Sequence, residues 1–95
     1  MTVAETIRRK LVDAFMPTRL DIRDESRRHA GHAGAHPGGE THFSIEIVSR
    51  VFSGKSRIER QRLVHTVLAD ELRQRVHALA LRTLAPDEDA GPPGS

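Results

Sequence analysis

The sequence predicts an α/β domain of the α+β kind, in which helices cover one face of a three-stranded mixed sheet. Three observations lead there. Two Ser/Thr-x-x-Glu capping boxes, Thr2-Val3-Ala4-Glu5 and Ser56-Arg57-Ile58-Glu59, each open a stretch with apolar residues at helical spacing. Two short segments, around Leu20 and Ile45, alternate apolar and polar residues at the period of a half-buried strand. A third apolar run follows the second helix, and a strand reached through a helix can return parallel by a right-handed crossover.

Taken in order, the first helix runs from the Thr2 box to about Phe15, with Val3, Ile7, Leu11 and Ala14 on its apolar stripe. Met16-Pro17 stops it, because the residue before a proline is pushed out of the helical region. Leu20 and Ile22 alternate with Arg19, Asp21 and Arg23, giving a first strand of roughly Arg19 to Asp24. From Glu25 to about Thr41 periodicity gives way to glycine, alanine and histidine, the composition of a long loop. Phe43, Ile45 and Ile47 alternate with Ser44, Glu46 and Val48, restoring a strand to about Arg50.

Ser53-Gly54 then turns the chain, and the second capping box opens a long helix to about Arg73, striped by Leu63, Val64, Val67, Leu68 and Leu72. Val76 to Thr83 is the third strand, and its near-continuous apolar character predicts burial on both faces. Pro86 begins a short helical turn. The domain is expected to occupy residues 1–86, with 87–95 a disordered tail ending Gly91-Pro92-Pro93-Gly94-Ser95. The first two strands pair antiparallel, so the order is helix, strand, strand, helix, strand and a short helix.

At 95 residues the chain is one small domain, and with no cysteine it must be stabilised by apolar packing, which suits a reducing, cytoplasmic setting. No run approaches the roughly 18 apolar residues of a membrane span, and Met1-Thr2-Val3-Ala4-Glu5 does not begin a signal peptide. A soluble, untargeted protein is expected. The net charge of +2 is too small to announce nucleic acid, and three phenylalanines without tyrosine or tryptophan offer little to stack splayed bases.

The chemistry concentrates in histidine. His29, His32 and His36 punctuate one glycine-rich stretch, and His77 interrupts the apolar run of the third strand. Imidazole is the commonest protein metal ligand, and without cysteine any metal or cluster site must be completed by imidazoles, carboxylates or a partner. A zinc site made from His29, His32 and His36 alone lacks a fourth ligand, and its glycines make closure costly. His36, beside Pro37-Gly38-Gly39, reads as solvated, His42 as orienting the start of its strand, and His65 as a surface helix residue.

A second cluster is basic. Lys55, Arg57, Arg60 and Arg62 gather at the start of the long helix, where free amides and the helix dipole favour phosphate. A Gly-x-x-Gly is present as Gly31-His32-Ala33-Gly34, but it lies between two strands rather than two helices, so an RNA clamp is not expected. Catalytic patterns fail on spacing. Gly54-Lys55-Ser56 has Ser49 where a P-loop requires glycine, no nucleophile elbow occurs, and the adjacent Asp24 and Glu25 point to opposite faces of a strand. No enzyme is expected.

Asp24-Glu25-Ser26-x-x-His29, Thr41-His42-Phe43, Ile47-Val48-Ser49-x-x-Phe52-x-Gly54, Arg60-x-Arg62-x-Val64, Asp70-Glu71-Leu72 and Val76-His77-Ala78-Leu79-x-Leu81-x-Thr83 together resemble the BolA family. The resemblance runs from the first helix to about Pro86. Two departures stand out: Arg60-Gln61-Arg62 where members often carry Arg-His-Arg, and a longer loop between the Asp-Glu-Ser and Thr-His-Phe segments. The resemblance implies a class II KH-like fold. It also implies a non-enzymatic adaptor in iron-sulfur assembly, trafficking or iron sensing, which binds a monothiol glutaredoxin and shares a bridging [2Fe-2S] cluster with it and its glutathione. His77 corresponds to the family's strand ligand, and the second ligand is a loop histidine, His29 or His32. Nitrogen ligation is chemically coherent, since two histidines replace two thiolates in Rieske centres. The family also implies, as the alternative, a transcriptional regulator binding double-stranded DNA, for which Lys55, Arg57, Arg60 and Arg62 are the candidate surface. The expected state alone is a monomer, with at most a weak homodimer.

Overall fold

A computed structural model describes residues 2–25 and 42–89. The first helix, α1 (Val3–Phe15), opens with the capping box: Thr2 Oγ1 accepts from the Glu5 N–H at 3.0 Å, and the Glu5 carboxylate accepts from the Thr2 N–H. Two orphan donors of the first turn are thereby satisfied. Met16 ends the helix in the left-handed region (φ 42°), its N–H donating to the Val12 carbonyl at 2.9 Å, which accords with the proline that follows. Ile7, Leu11 and Phe15 form the buried stripe, Phe15 standing where Ala14 was expected; Ala14 faces solvent.

Three strands follow the predicted order: β1 (Arg19–Asp24), β2 (His42–Val48) and β3 (Ala78–Leu84). β2 is central, antiparallel to β1 and parallel to β3, so the sheet is mixed as the sequence suggested. Pairing Leu20 with Ile47, Ile22 with Ile45 and Leu81 with Ile45 puts these apolar side chains on one face, while Arg19, Asp21, Glu46 and Arg82 share the other. The apolar face meets the helices in a core that includes Ile7, Leu11, Phe15, Ile45, Ile47, Phe52, Val64 and Leu68. Phe15 and Phe52 pack with ring centroids 5.2 Å apart.

Between β2 and the next helix, Arg50–Phe52 makes a 3-10 turn, and Gly54 takes the positive φ (77°) that the turn requires. Ser49, fully buried, joins three segments: its Oγ donates to the Phe15 carbonyl at 2.6 Å and accepts from the Val51 N–H at 3.1 Å, and its N–H donates to the Leu84 carbonyl.

Two expectations change here. The long second helix is two, α2 (Arg57–Val67) and α3 (Ala69–Gln74), because buried Leu68 between them departs from helical dihedrals, at φ −99°, ψ 16°. Backbone bonding continues across Leu68, from Leu68 N–H to Val64 O and from Leu72 N–H to Leu68 O. β3 is not buried on both faces. It is an edge strand whose residues alternate in exposure, with Ala78 and Ala80 open to solvent; alanine is apolar in sequence yet has too little surface to require burial.

After β3, Pro86–Glu88 forms a second 3-10 turn. Glu88 and Asp89 pair with Arg60 and Arg19, so the boundary expected at residue 87 falls within a tied segment. Residues 90–95 lie outside the described part.

Candidate functional site

The histidine site is built at the end of the sheet where β2 and β3 begin. His42 is the first residue of β2, half-buried, and parallel pairing sets it opposite Ala78. His77 comes one residue before β3, in a bend, and is exposed. It is therefore a flanking residue rather than the strand residue expected from its apolar neighbours. Val76 before it is buried, and that anchor fixes where His77 leaves the body of the protein.

The register brings the two imidazoles together, with ring centroids 6.4 Å apart and planes inclined at 67°. The sequence separates them by 35 positions, and only the β2–β3 register predicts their proximity. Local pattern casts His42 only as orienting the start of its strand; its place beside His77 comes from the register. On the other side of β2, the Glu25 N–H donates to the His42 carbonyl at 2.7 Å, which extends the β1–β2 ladder by one residue. Glu25, His42 and His77 thus stand across one end of the sheet.

His29 and His32 lie outside the described residues. Both belong to the connection that leaves at Glu25 and returns at His42, beside His77. A chain extends by at most ~3.6 Å per residue, so four residues from Glu25 to His29 reach about 14 Å. The chain offers imidazoles and no thiol, and among the described residues no group of three or more histidine, aspartate or glutamate side chains could hold a metal by itself.

The basic candidates divide. Arg60 is buried at 9% exposure, and every nitrogen of its guanidinium donates a hydrogen bond. Nη1 and Nη2 donate to the Glu88 carboxylate at 2.5 and 3.0 Å, Nη1 also to the Thr83 carbonyl at 3.3 Å, and Nε to the Lys55 carbonyl at 2.9 Å. The paired guanidinium, with the Ala85 N–H, holds the Glu88 carboxyl down at about 2, and Glu88 in turn raises the pKa of Arg60. Arg60 therefore fixes α2 to the end of β3 and does not present itself to a ligand.

Arg57 and Arg62 are exposed and Lys55 is half-buried. Glu59, the reciprocal member of the α2 capping box, is held below its ordinary pKa by hydrogen bonds from the Ser56 backbone and side chain, and further by Lys55 and Arg62. Arg57 also lines a surface cavity of about 320 Å³ with Leu81, Arg82 and Thr83. No helix among the described residues is long and apolar enough to cross a membrane.

Comparison with known proteins gives a consistent picture. A family pattern described as BolA-like protein matches residues 11–88. Human BolA-like protein 1 is 46% identical over 84 residues, covering 88% of this chain but only 58% of the human protein's length. A relative from Escherichia coli named DNA-binding transcriptional regulator BolA is 43% identical over 83 residues, covering 87% of this chain and 75% of that protein. The solved structure of BolA1 from Arabidopsis thaliana superposes with a TM-score of 0.84 at 40% identity, covering 94% of this chain and 97% of that one.

Proposed function

The chain belongs to the BolA-like family, and from that membership together with the exposed His77 we propose a non-enzymatic adaptor that binds a monothiol glutaredoxin and contributes histidine ligands to a shared [2Fe-2S] cluster. One observation carries the reading. His77 stands exposed at the sheet end where the chain departs into, and returns from, its histidine-bearing connection. The cluster supplies electron storage or transfer of iron and sulfide when bound. This chain's residues hold and orient: His77 offers a nitrogen from a position fixed by buried Val76 and the β2–β3 register, and His29 or His32 offers the second from the connection. With no cysteine available, the sulfur ligands come from the glutaredoxin and its glutathione.

The test is reconstitution of the cluster on a mixture of this protein, a monothiol glutaredoxin and glutathione, followed by visible absorption and circular dichroism. His77→Ala is expected to abolish the spectrum of the mixed complex and leave only that of the glutaredoxin alone. Identical spectra and cluster retention in the variant overturn the assignment. His29→Ala and His32→Ala, compared in the same way, distinguish the two loop candidates.

The name of the Escherichia coli relative supports a second reading, a DNA-binding regulator. Lys55, Arg57 and Arg62 at the start of α2 are the side chains open to phosphate, and Arg60 is excluded by its burial. Binding to duplex DNA should weaken with salt and with Arg57→Ala plus Arg62→Ala, whereas an affinity indifferent to both would remove this surface.

A further inference from the structure

The outer edge of β3 lies away from the two histidines and shares one residue, Arg57, with the basic surface at the start of α2. In a parallel pair, alternate residues turn their backbone N–H and C=O toward the neighbouring strand and the others turn them away. The Leu84 carbonyl accepts from Ser49, the residue that follows β2, so Leu84, Arg82, Ala80 and Ala78 bond inward. Thr83, Leu81 and Leu79 therefore direct their backbone groups outward. The Thr83 carbonyl is covered by Arg60 Nη1. Among the described residues no strand lies beyond β3, so none of them pairs with Leu79 and Leu81 along this edge.

Such edges are commonly blunted by charge or by a covering element, because they template pairing with another chain. Here the cavity of about 320 Å³ opens against this edge and is lined by Arg57, Leu81, Arg82 and Thr83, two cations and no anion. Arg82 is 70% exposed and its contact with a carboxylate is a long one, 3.9 Å to Glu46 Oε2, an oxygen on a side chain that also serves Arg19. Arg57 projects from the first turn of α2 and is exposed.

We propose that the β3 edge accepts an extended acidic segment of a partner protein, its backbone pairing with Leu79 and Leu81 and its carboxylate seated between Arg57 and Arg82. The two parts are complementary. Main-chain bonds along the edge supply affinity without sequence preference, and the paired arginines select a glutamate or aspartate at the position that faces the cavity. A duplex would be held by its phosphates across Lys55, Arg57 and Arg62 and would draw nothing from the edge amides.

The experiment titrates the full isotope-labelled chain with a blocked hexapeptide, acetyl-Val-Thr-Glu-Val-Thr-Val-amide, with the same peptide carrying lysine for glutamate, and with a short DNA duplex. Amide shifts and slowed hydrogen exchange are expected at Leu79, Leu81 and Thr83 with the glutamate peptide and not with the lysine peptide. Arg57→Ala and Arg82→Ala, both at exposed positions, should each weaken binding about threefold, while Arg62→Ala leaves it unchanged. Three results overturn the proposal: no shifts with the glutamate peptide up to about 1 mM, peptide binding indifferent to Arg82, or a response at these amides to the duplex alone.

Discussion

The two ends of the sheet are built differently. Where β2 and β3 finish, every segment is tied to another: the Thr18 N–H donates to Val48, the Ser49 N–H to Leu84, and the Ser49 hydroxyl to Phe15. Two ion pairs then bind the chain beyond β3, Arg60 to Glu88 and Arg19 to Asp89, with Glu46 also taking Arg19. Where β2 and β3 begin, the conspicuous side chains are His42 and His77, edge-on to each other. The end where β2 and β3 finish joins α1, the sheet and the chain beyond β3, while the opposite end brings two imidazoles together. A small domain without disulfides depends on such ties, because each is a sizeable share of a marginal stability.

The largest effect should come from the tied end. Arg60→Ala removes hydrogen bonds to two carbonyls and a carboxylate, leaving the Thr83 carbonyl without that donor and Glu88 without its cation. A cost of about 2 kcal/mol is expected in urea unfolding, given that hydrogen bonds involving charged groups contribute about 1.5–3 kcal/mol. Arg57→Ala, three residues earlier and exposed, should change stability by less than about 0.5 kcal/mol. Equal losses in the two variants would mean that burial does not separate the anchoring arginine from its neighbours.

That contrast also marks where the sequence was readable. Both capping boxes and the alternation of β1 and β2 are local signals, and the structure reproduces them at Thr2, Ser56, Leu20–Ile22 and Phe43–Ile47. The burial of Arg60 is not local, because its partner Glu88 lies 28 residues on, in a segment that reads as a tail. The apolar composition around Ala78 and Ala80 gave no sign that β3 is an edge, since a strand's neighbours are decided by topology rather than by its own residues. The same holds for the candidate site. His77 stands out as the histidine in an apolar run, whereas His42 becomes its neighbour only through a parallel register reached after two helices.

Acid should loosen the tied end progressively. The Glu88 carboxyl is held at about 2 by Arg60 and the Ala85 N–H, below the ordinary 4.5 that it recovers on unfolding. A carboxylate with a depressed folded pKa contributes its full stabilisation above about pH 4.5, and that contribution is lost as pH falls toward 2. Glu88→Gln should therefore flatten part of the stability profile between pH 4.5 and 2, with a smaller loss at neutral pH than Arg60→Ala, because the Glu88 side chain is 41% exposed and solvent screens it. Thermal melts across that range in low and high salt would read the difference, and parallel profiles for wild type and variant would dissociate the acid response from this pair.

The smallest effect on stability belongs to the histidine end, and its smallness is informative. His77 is exposed and precedes β3, so its side chain is outside the strand ladder and outside the core. His77→Ala should shift unfolding free energy by less than about 0.5 kcal/mol, the range of surface substitutions, while eliminating the spectrum of the mixed cluster complex. His42→Ala separates ligation from support: it starts β2, is half-buried and meets the His77 ring edge-on, so it should perturb the position of His77 more than the fold. A melting point lowered strongly by His77→Ala would reverse the comparison, making the imidazole a structural group and transferring the search for a ligand to the residues between Glu25 and His42.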